Sequence, residues 1–342
     1  MGEKSAVGYS GPTFAAVRSG KHCSSTALSH GRDIEHLLTL KEFDKLTKTE
    51  SGEIKPVWFT TVDGGPDENP RFQKTIDVAI HHFCENNLDV CCVGSNAPGL
   101  SCYNRAERRM PLFSHEIAGV VLPHDHYGSH LDSQGRTVDL ALEVQNFQFA
   151  GMTLAEIWDT LVINGYAVVS EYVEPEVSAI EESSLIRKSL QWQMEHVRTS
   201  QYFLQIVKCS DETCCSPMRS SWLKVVPTRF LPPPFPLIQT EDGLTAGVPG
   251  INNKGKYPSA FVALSLKPED FIPRDRLEKF AVAPYDLYCP SVQSSLATRI
   301  CKSCGQYFAS QVMMKKHAGV HRAAKAARKD NSVQGMLLIK YF

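Results

Sequence analysis

The chain has 342 residues, more than the ~100 to 200 of a typical domain, so more than one domain is expected. At 42% hydrophobic and 21% charged, with 16 Phe, 11 Tyr and 4 Trp, it can build a substantial core, which excludes global disorder. A net charge of -1, from 36 Lys and Arg against 37 Asp and Glu, excludes coating of nucleic acid by bulk attraction and confines any basic surface to a local patch.

The first twenty residues are broken by Gly, Pro, Ser and charges and carry no apolar run of the secretory kind. No stretch reaches the ~18 to 20 continuous apolar residues of a membrane helix, so a soluble chain without a membrane partner is expected. Residues 10–22 have room for one strand, and RDIEHLLTLKEFDKLTK (32–48) alternates Leu and charge at helical spacing. KPVWFTTV (55–62) is β-branched and aromatic, which predicts a buried strand ending in the turn Asp63-Gly64-Gly65-Pro66. Residues 70–87 repeat apolar side chains at helical spacing and close on Asn86 and Asn87, and LDVCCVGS (88–95) predicts a second strand. A second helix is predicted over 104–123, kinked near Pro111 and stopped by Pro123.

Strand, helix, strand and helix with short links predict an α/β layer. Residues 150–225 read as mainly helical (LAEIWDTLV, EESSLIRKSLQWQMEHV), with one strand at QYFLQIVKC (201–209). Five Pro within 227–236 mark a semi-rigid connector, and residues 237–290 are punctuated by Gly and Pro without a clear period. The expected division is 1–135, 136–225, 226–290 and a terminal module at 299–329. Eleven Cys, an odd number in clusters, suit reduced thiols and metal sites in an intracellular compartment better than disulfides.

Cys301-Lys-Ser-Cys304 is followed by His317 and His321. Two thiolates on a tight turn and two imidazoles on adjacent turns of one helix face supply the four donors of a structural zinc ion. Phe308 and Met314 are placed to form the small apolar core of such a unit. The stretch 301–321 resembles the two-Cys, two-His zinc finger, a small ββα module. That resemblance implies that Ser310, Met313 and Lys316 face nucleic-acid bases. From Arg299 to Lys329 there are eight cations (299, 302, 315, 316, 322, 325, 328, 329) and no acid. Lys315, Lys316, Arg322, Lys325, Arg328 and Lys329 are thus expected to contact phosphates, with DNA as partner and the nucleus as compartment. The competing expectation is an adaptor that binds another protein through the same module. Cys209, Cys214 and Cys215, with His196 or Cys289 as a fourth donor, form a further zinc candidate, although CSDETCC is not a standard ligand spacing and buried, unliganded thiols are the competing reading. His124, Asp125, His126, His130 and Asp132 offer a His-x-His site or a polar loop.

Asp63 ends a predicted strand, at the edge where α/β sites sit. Glu107 follows 44 residues later with Asn104 three before it. VDGGPDENPR and NAPGLSCYNRAER together resemble the latter half of a ribonuclease H-like DDE transposase core, over residues 50–125. The resemblance implies that Asp63 and Glu107 are the second and third catalytic acids, that Asn104 supports them, and that magnesium or manganese is the cofactor. The first acid of such cores has no counterpart, since Asp33 and Asp44 lie in or beside a predicted helix. The expectation is therefore a truncated or domesticated remnant that binds DNA and is inactive in strand transfer.

Overall fold

Thr13–Val17 (β1) opens the part of the chain that a computed structural model describes, which comprises residues 11–96, 106–175, 179–231, 237–240, 243–246, 286, 289 and 292–322. The chain is mixed α/β, built on small sheets, and forms two compact units. The first comprises 1–69, 73–88 and 95–187, and the second 70–72, 89–94 and 188–342.

In the first unit, Ala27–Leu37 (α1) begins at Thr26, which accepts the Ser29 N–H while the Ser29 hydroxyl accepts the Thr26 N–H. This reciprocal cap closes two of the free donors of the first turn. Asp44–Thr47 (α2) is one short turn, and Val57–Val62 (β2) and Gln73–Glu85 (α3) form where the apolar pattern predicts them, although β2 is half-buried rather than buried and leaves Phe59 exposed. α1 lies close to α3 because Gly31 has no side chain: a Cβ there would meet Val78 and Ile180 at under 3 Å. Ala27, Val78, Ile180 and Leu185 form the core at that crossing.

Met110–Glu116 (α4) is shorter than the helix predicted over 104–123. Pro111 sits in its first turn, where its missing N–H costs nothing, so the proline starts the helix rather than kinking it. The chain has left the helix by Gly119, which has φ +81°. Leu140–Asp159 (α5) carries on its buried face Glu143 and Asn146 as well as Ala155. Val162–Ile163 (β4) and Tyr166–Tyr172 (β5) make a hairpin over Asn164-Gly165, both at positive φ, in place of the mainly helical reading of this region. β5 also pairs in parallel with β1, giving the order β1-β5-β4.

In the second unit, Val90–Ser95 (β3), Val197–Thr199 (β6) and Phe203–Val207 (β7) form an antiparallel arrangement with β7 in the middle, Cys91 facing Ile206 and Val197 also facing Ile206. Leu204, Gln205, Ile206 and Val207 are all buried. The Gln205 side-chain amide donates to Leu231 O and accepts the Leu231 N–H, which satisfies this buried polar side chain. Leu190–His196 (α6) is capped by Ser189 and runs directly into β6; residues 181–188, predicted as its first half, are a turn followed by irregular chain. Trp222–Val225 (α7) precedes an antiparallel hairpin of Leu237–Thr240 (β8) and Gly243–Ala246 (β9), within a region whose sequence has no readable pattern. The prolines at 232–236 lie outside the described residues. A 3-10 turn at Gln293–Arg299 leads into an Ile300↔Tyr307 bridge and a helix over 311–322 (α8). Among the described residues no helix is long and apolar enough to cross a membrane.

Candidate metal centres

Cys301 and Cys304 sit on a turn closed by Cys301 N–H to Gln306 O (2.8 Å) and Gly305 N–H to Cys301 O (2.7 Å). Gly305 has φ +73°, a conformation that favours glycine and lets the turn fold back under the two sulfurs. His317 and His321, one turn apart on α8, point the same way, with their Nε2 atoms 3.0 Å apart and His317 Nε2 3.2 Å from Cys304 Sγ. All four donor atoms lie within 4.8 Å of one another. Donors on a tetrahedral zinc ion, at ~2.0 to 2.3 Å from the metal, are separated by roughly 3.3 to 3.8 Å, so the set fits such an ion. Phe308 packs on His317 at 4.6 Å between ring centroids, as the spacing of the small core requires. Burial lowers the His317 pKa, which keeps the imidazole in its neutral, metal-binding form, and raises the Cys304 thiol, which zinc would offset by binding the thiolate.

The module is anchored at its base. Tyr307 is buried and its hydroxyl donates to the Asp286 carboxylate, which also accepts the Gln201 N–H at 2.9 and 3.0 Å. Arg299 donates to Ala309 O (2.5 Å) and to the Gln201 side chain (3.2 Å). Half-buried and held by these bonds, it is less available to a ligand than the expected count of eight cations assumed. Lys302, Lys315, Lys316 and Arg322 are exposed, while Ser310 and Met313 are half-buried. Lys325, Arg328 and Lys329 lie outside the described residues.

A second set of four donors, His196, Cys209, Cys214 and Cys215, also falls within 4.8 Å. His196 Nε2 is 3.6 Å from Cys214 Sγ and 3.4 Å from Cys215 Sγ, and the two sulfurs are 4.0 Å apart. Burial raises the Cys214 thiol, raises Cys215 to about 12, and lowers His196.

A third group, Glu35, His81 and His82, went unnoticed in the sequence because its members are spread over two helices. It is a poor donor set. His81 Nδ1 accepts the Ile186 N–H (3.2 Å), so Nε2 carries the proton and donates to Glu35 (3.1 Å), leaving no lone pair for a metal. His82 is buried with no partner for either ring nitrogen among the described residues, and burial, then the neighbouring His81, lower its pKa to about 4.

The histidines directly after Pro123 do not form a group of three or more metal donors among the described residues, although the His124 and His130 rings lie 6.2 Å apart. His126 stacks on Phe149, and His130 is buried beside Asn146 (3.2 Å) and Glu143 (3.5 Å). Glu143 has no exposed side-chain surface and bonds Lys21 (2.5 Å), Thr137 and His22 (2.9 Å). Lys21, then Thr137, hold its carboxyl down to about 2 against the effect of burial.

Asp63 is exposed at the end of β2 and accepts the Gly65 N–H at 2.7 Å, capping its own turn. Burial, with the neighbouring Asp63 carboxylate adding to it, raises the pKa of Glu68. Glu107 is exposed on the turn that leads into α4, three residues before its first residue, and Asn104 lies outside the described residues. Among the described residues neither acid belongs to a group of three or more metal donors, so no set for magnesium or manganese is assembled around them. No protein-family model, curated protein or solved structure matches the chain.

Proposed function

We propose that the second unit is a DNA-binding module organised by zinc at Cys301, Cys304, His317 and His321, acting in the nucleus. One observation carries the reading: four soft-to-borderline donors converge within 4.8 Å on a turn-and-helix module whose helix carries exposed Lys315, Lys316 and Arg322. Zinc ties the turn to the helix, and the Asp286–Tyr307 and Arg299 bonds fix the module's base. A rigid, cationic helix suits a phosphate backbone, because its charges are held without further loss of entropy. Lys316 is the residue that can donate to a guanine edge, whereas Met313 offers only apolar contact. A single module reads ~3 base pairs, so this unit supplies affinity and orientation more than site choice. Descent from a DDE transposase is compatible with the role, which draws on no strand-transfer chemistry from Asp63, Asn104 or Glu107.

The test is the salt dependence of duplex binding by the full chain. Lys315→Ala/Lys316→Ala/Arg322→Ala should reduce the slope of log K against log salt by about 2 to 3, at roughly 0.9 per lost phosphate contact. His317→Ala should abolish binding with the loss of its zinc. Binding to DNA that is absent at low salt, or unchanged in both variants, would transfer the module to the adaptor reading, in which it engages a protein. Tighter binding to single-stranded RNA than to duplex DNA would count against DNA as the ligand.

A further inference from the structure

His196 closes α6, and three features aim it. Its Nδ1 lies 2.8 Å from the Trp192 carbonyl, its ring stacks on Trp192 at 4.1 Å with 2° between planes, and it has no exposed surface. A carbonyl only accepts, so Nδ1 carries the proton and Nε2 presents its lone pair to the sulfurs. That is the outer bond that fixes a metal-binding imidazole in other proteins.

The sulfurs are equally pre-set. Thr213 N–H and hydroxyl donate to the Asp211 carboxylate (2.9 and 2.7 Å), and the Cys214 and Cys215 N–H groups donate to Asp211 O (3.0 and 2.9 Å). This curls 209–215 so that Cys209 returns toward Cys214 and Cys215. The loop leaves from Lys208, a buried ion-pair partner of Asp89 at 2.9 Å, and comes back at Ser220, whose N–H bonds the same carboxylate at 2.6 Å. Both ends are therefore clamped to one buried group. A tetrahedral ion with ~2.3 Å Zn–S and ~2.0 to 2.1 Å Zn–N bonds needs N···S near ~3.6 Å and S···S near ~3.8 Å. The observed 3.4, 3.6 and 4.0 Å match. Charge matches as well. Three thiolates and a dication would leave one net negative charge, and the part-buried Arg229 guanidinium lies within electrostatic range of all three cysteines. Arg229 is held there by bonds to the Lys208 and Val207 carbonyls (both 2.7 Å) and by a left-handed backbone, φ +70°.

We propose that Cys209, Cys214, Cys215 and His196 bind a second, structural zinc ion that clips the loop after β7 to the end of α6. Three protons leave the thiols on binding, and no redox step is involved. The site is independent of the DNA-binding reading, because it shares no donor with the 301–321 module. With four protein donors and no open position it is structural rather than hydrolytic.

The test is metal content of the full chain purified without added metal, together with cobalt replacement. Wild type should carry about two zinc ions, Cys304→Ser about one, and Cys304→Ser with Cys214→Ser and Cys215→Ser none. Cobalt added to the Cys304→Ser chain should give a thiolate charge-transfer band stronger than that of the Cys214→Ser/Cys215→Ser chain, since three sulfurs face the ion in one and two in the other. Circular dichroism would verify that each variant is folded. A folded Cys304→Ser chain with no zinc and no thiolate–cobalt band would overturn the proposal, as would a Cys214–Cys215 or Cys209–Cys214 disulfide in chain purified under reducing conditions.

Discussion

The cluster at Cys301, Cys304, His317 and His321 draws its donors from one short stretch, whereas His196, Cys209, Cys214 and Cys215 are brought together by a helix end and a clamped loop on either side of β7. Their supporting bonds differ too. His196 Nδ1 is fixed by the Trp192 carbonyl, while His317 Nδ1 is buried with no partner among the described residues. On the proposed reading, the first cluster is a motif that a metal would hold together. The second is a socket shaped beforehand by the Asp89–Lys208 pair and the Asp211 turn, which a metal would lock.

Complete chelation is expected to have the largest effect on this contrast. Structural zinc is worth about 10 to 16 kcal/mol in isolated modules, so α8 should lose its helical signal while β6 and β7, held by backbone pairing, persist. Amide exchange after chelation measures this, and equal loss in both places would remove the distinction.

The third imidazole group provides a metal-free reference. His82 has a pKa near 4 in the folded chain against 6.5 for the free side chain, so the unfolded state binds the extra proton between those values. Stability is then full above pH 6.5 and falls as pH drops toward 4, by about 3 kcal/mol in all. Denaturant midpoints across that window should fall in wild type and fall less in His82→Leu, with no change in zinc content.

Next in size is the order of metal loss. An imidazole without an outer partner binds metal roughly 10 to 100 times more weakly, so a graded chelator should empty the 301–321 site first. Following the residual ion in Cys304→Ser and Cys214→Ser/Cys215→Ser chains separates the two affinities. The reverse order would break the argument from outer bonds.

The smallest effect belongs to the anchor of the module. Tyr307→Phe leaves Asp286 short of one donor in a buried site and should cost about 1 to 3 kcal/mol, with zinc content unchanged. A zinc loss in this variant would mean that the anchor, rather than the donor set, organises the cluster.

How much of this was legible follows from how local each signal is. β2, α3 and β3 show in the sequence because their apolar patterns are uninterrupted, and the 301–321 donors show because spacing alone places them. The first half of α5 was hidden because two of its buried positions, Glu143 and Asn146, are polar, and their partners Lys21, His22 and His130 lie elsewhere in the chain. The β4–β5 hairpin did carry a signal, Asn164-Gly165, the pair that accepts two positive φ angles. For His196 and its cysteines the residues could be nominated, but the pre-set geometry depends on Trp192, Asp89 and Arg229, which no local spacing reports. The buried Asp286–Tyr307 bond likewise joins positions with no shared motif.

X-ray absorption at the zinc edge of the metal-replete chain tests the central claim most directly. Five sulfur and three nitrogen donors shared by two ions predict an average shell of about 2.5 sulfurs and 1.5 nitrogens per zinc at ~2.3 and ~2.0 Å. A shell of oxygen and nitrogen without sulfur would contradict the account of both centres.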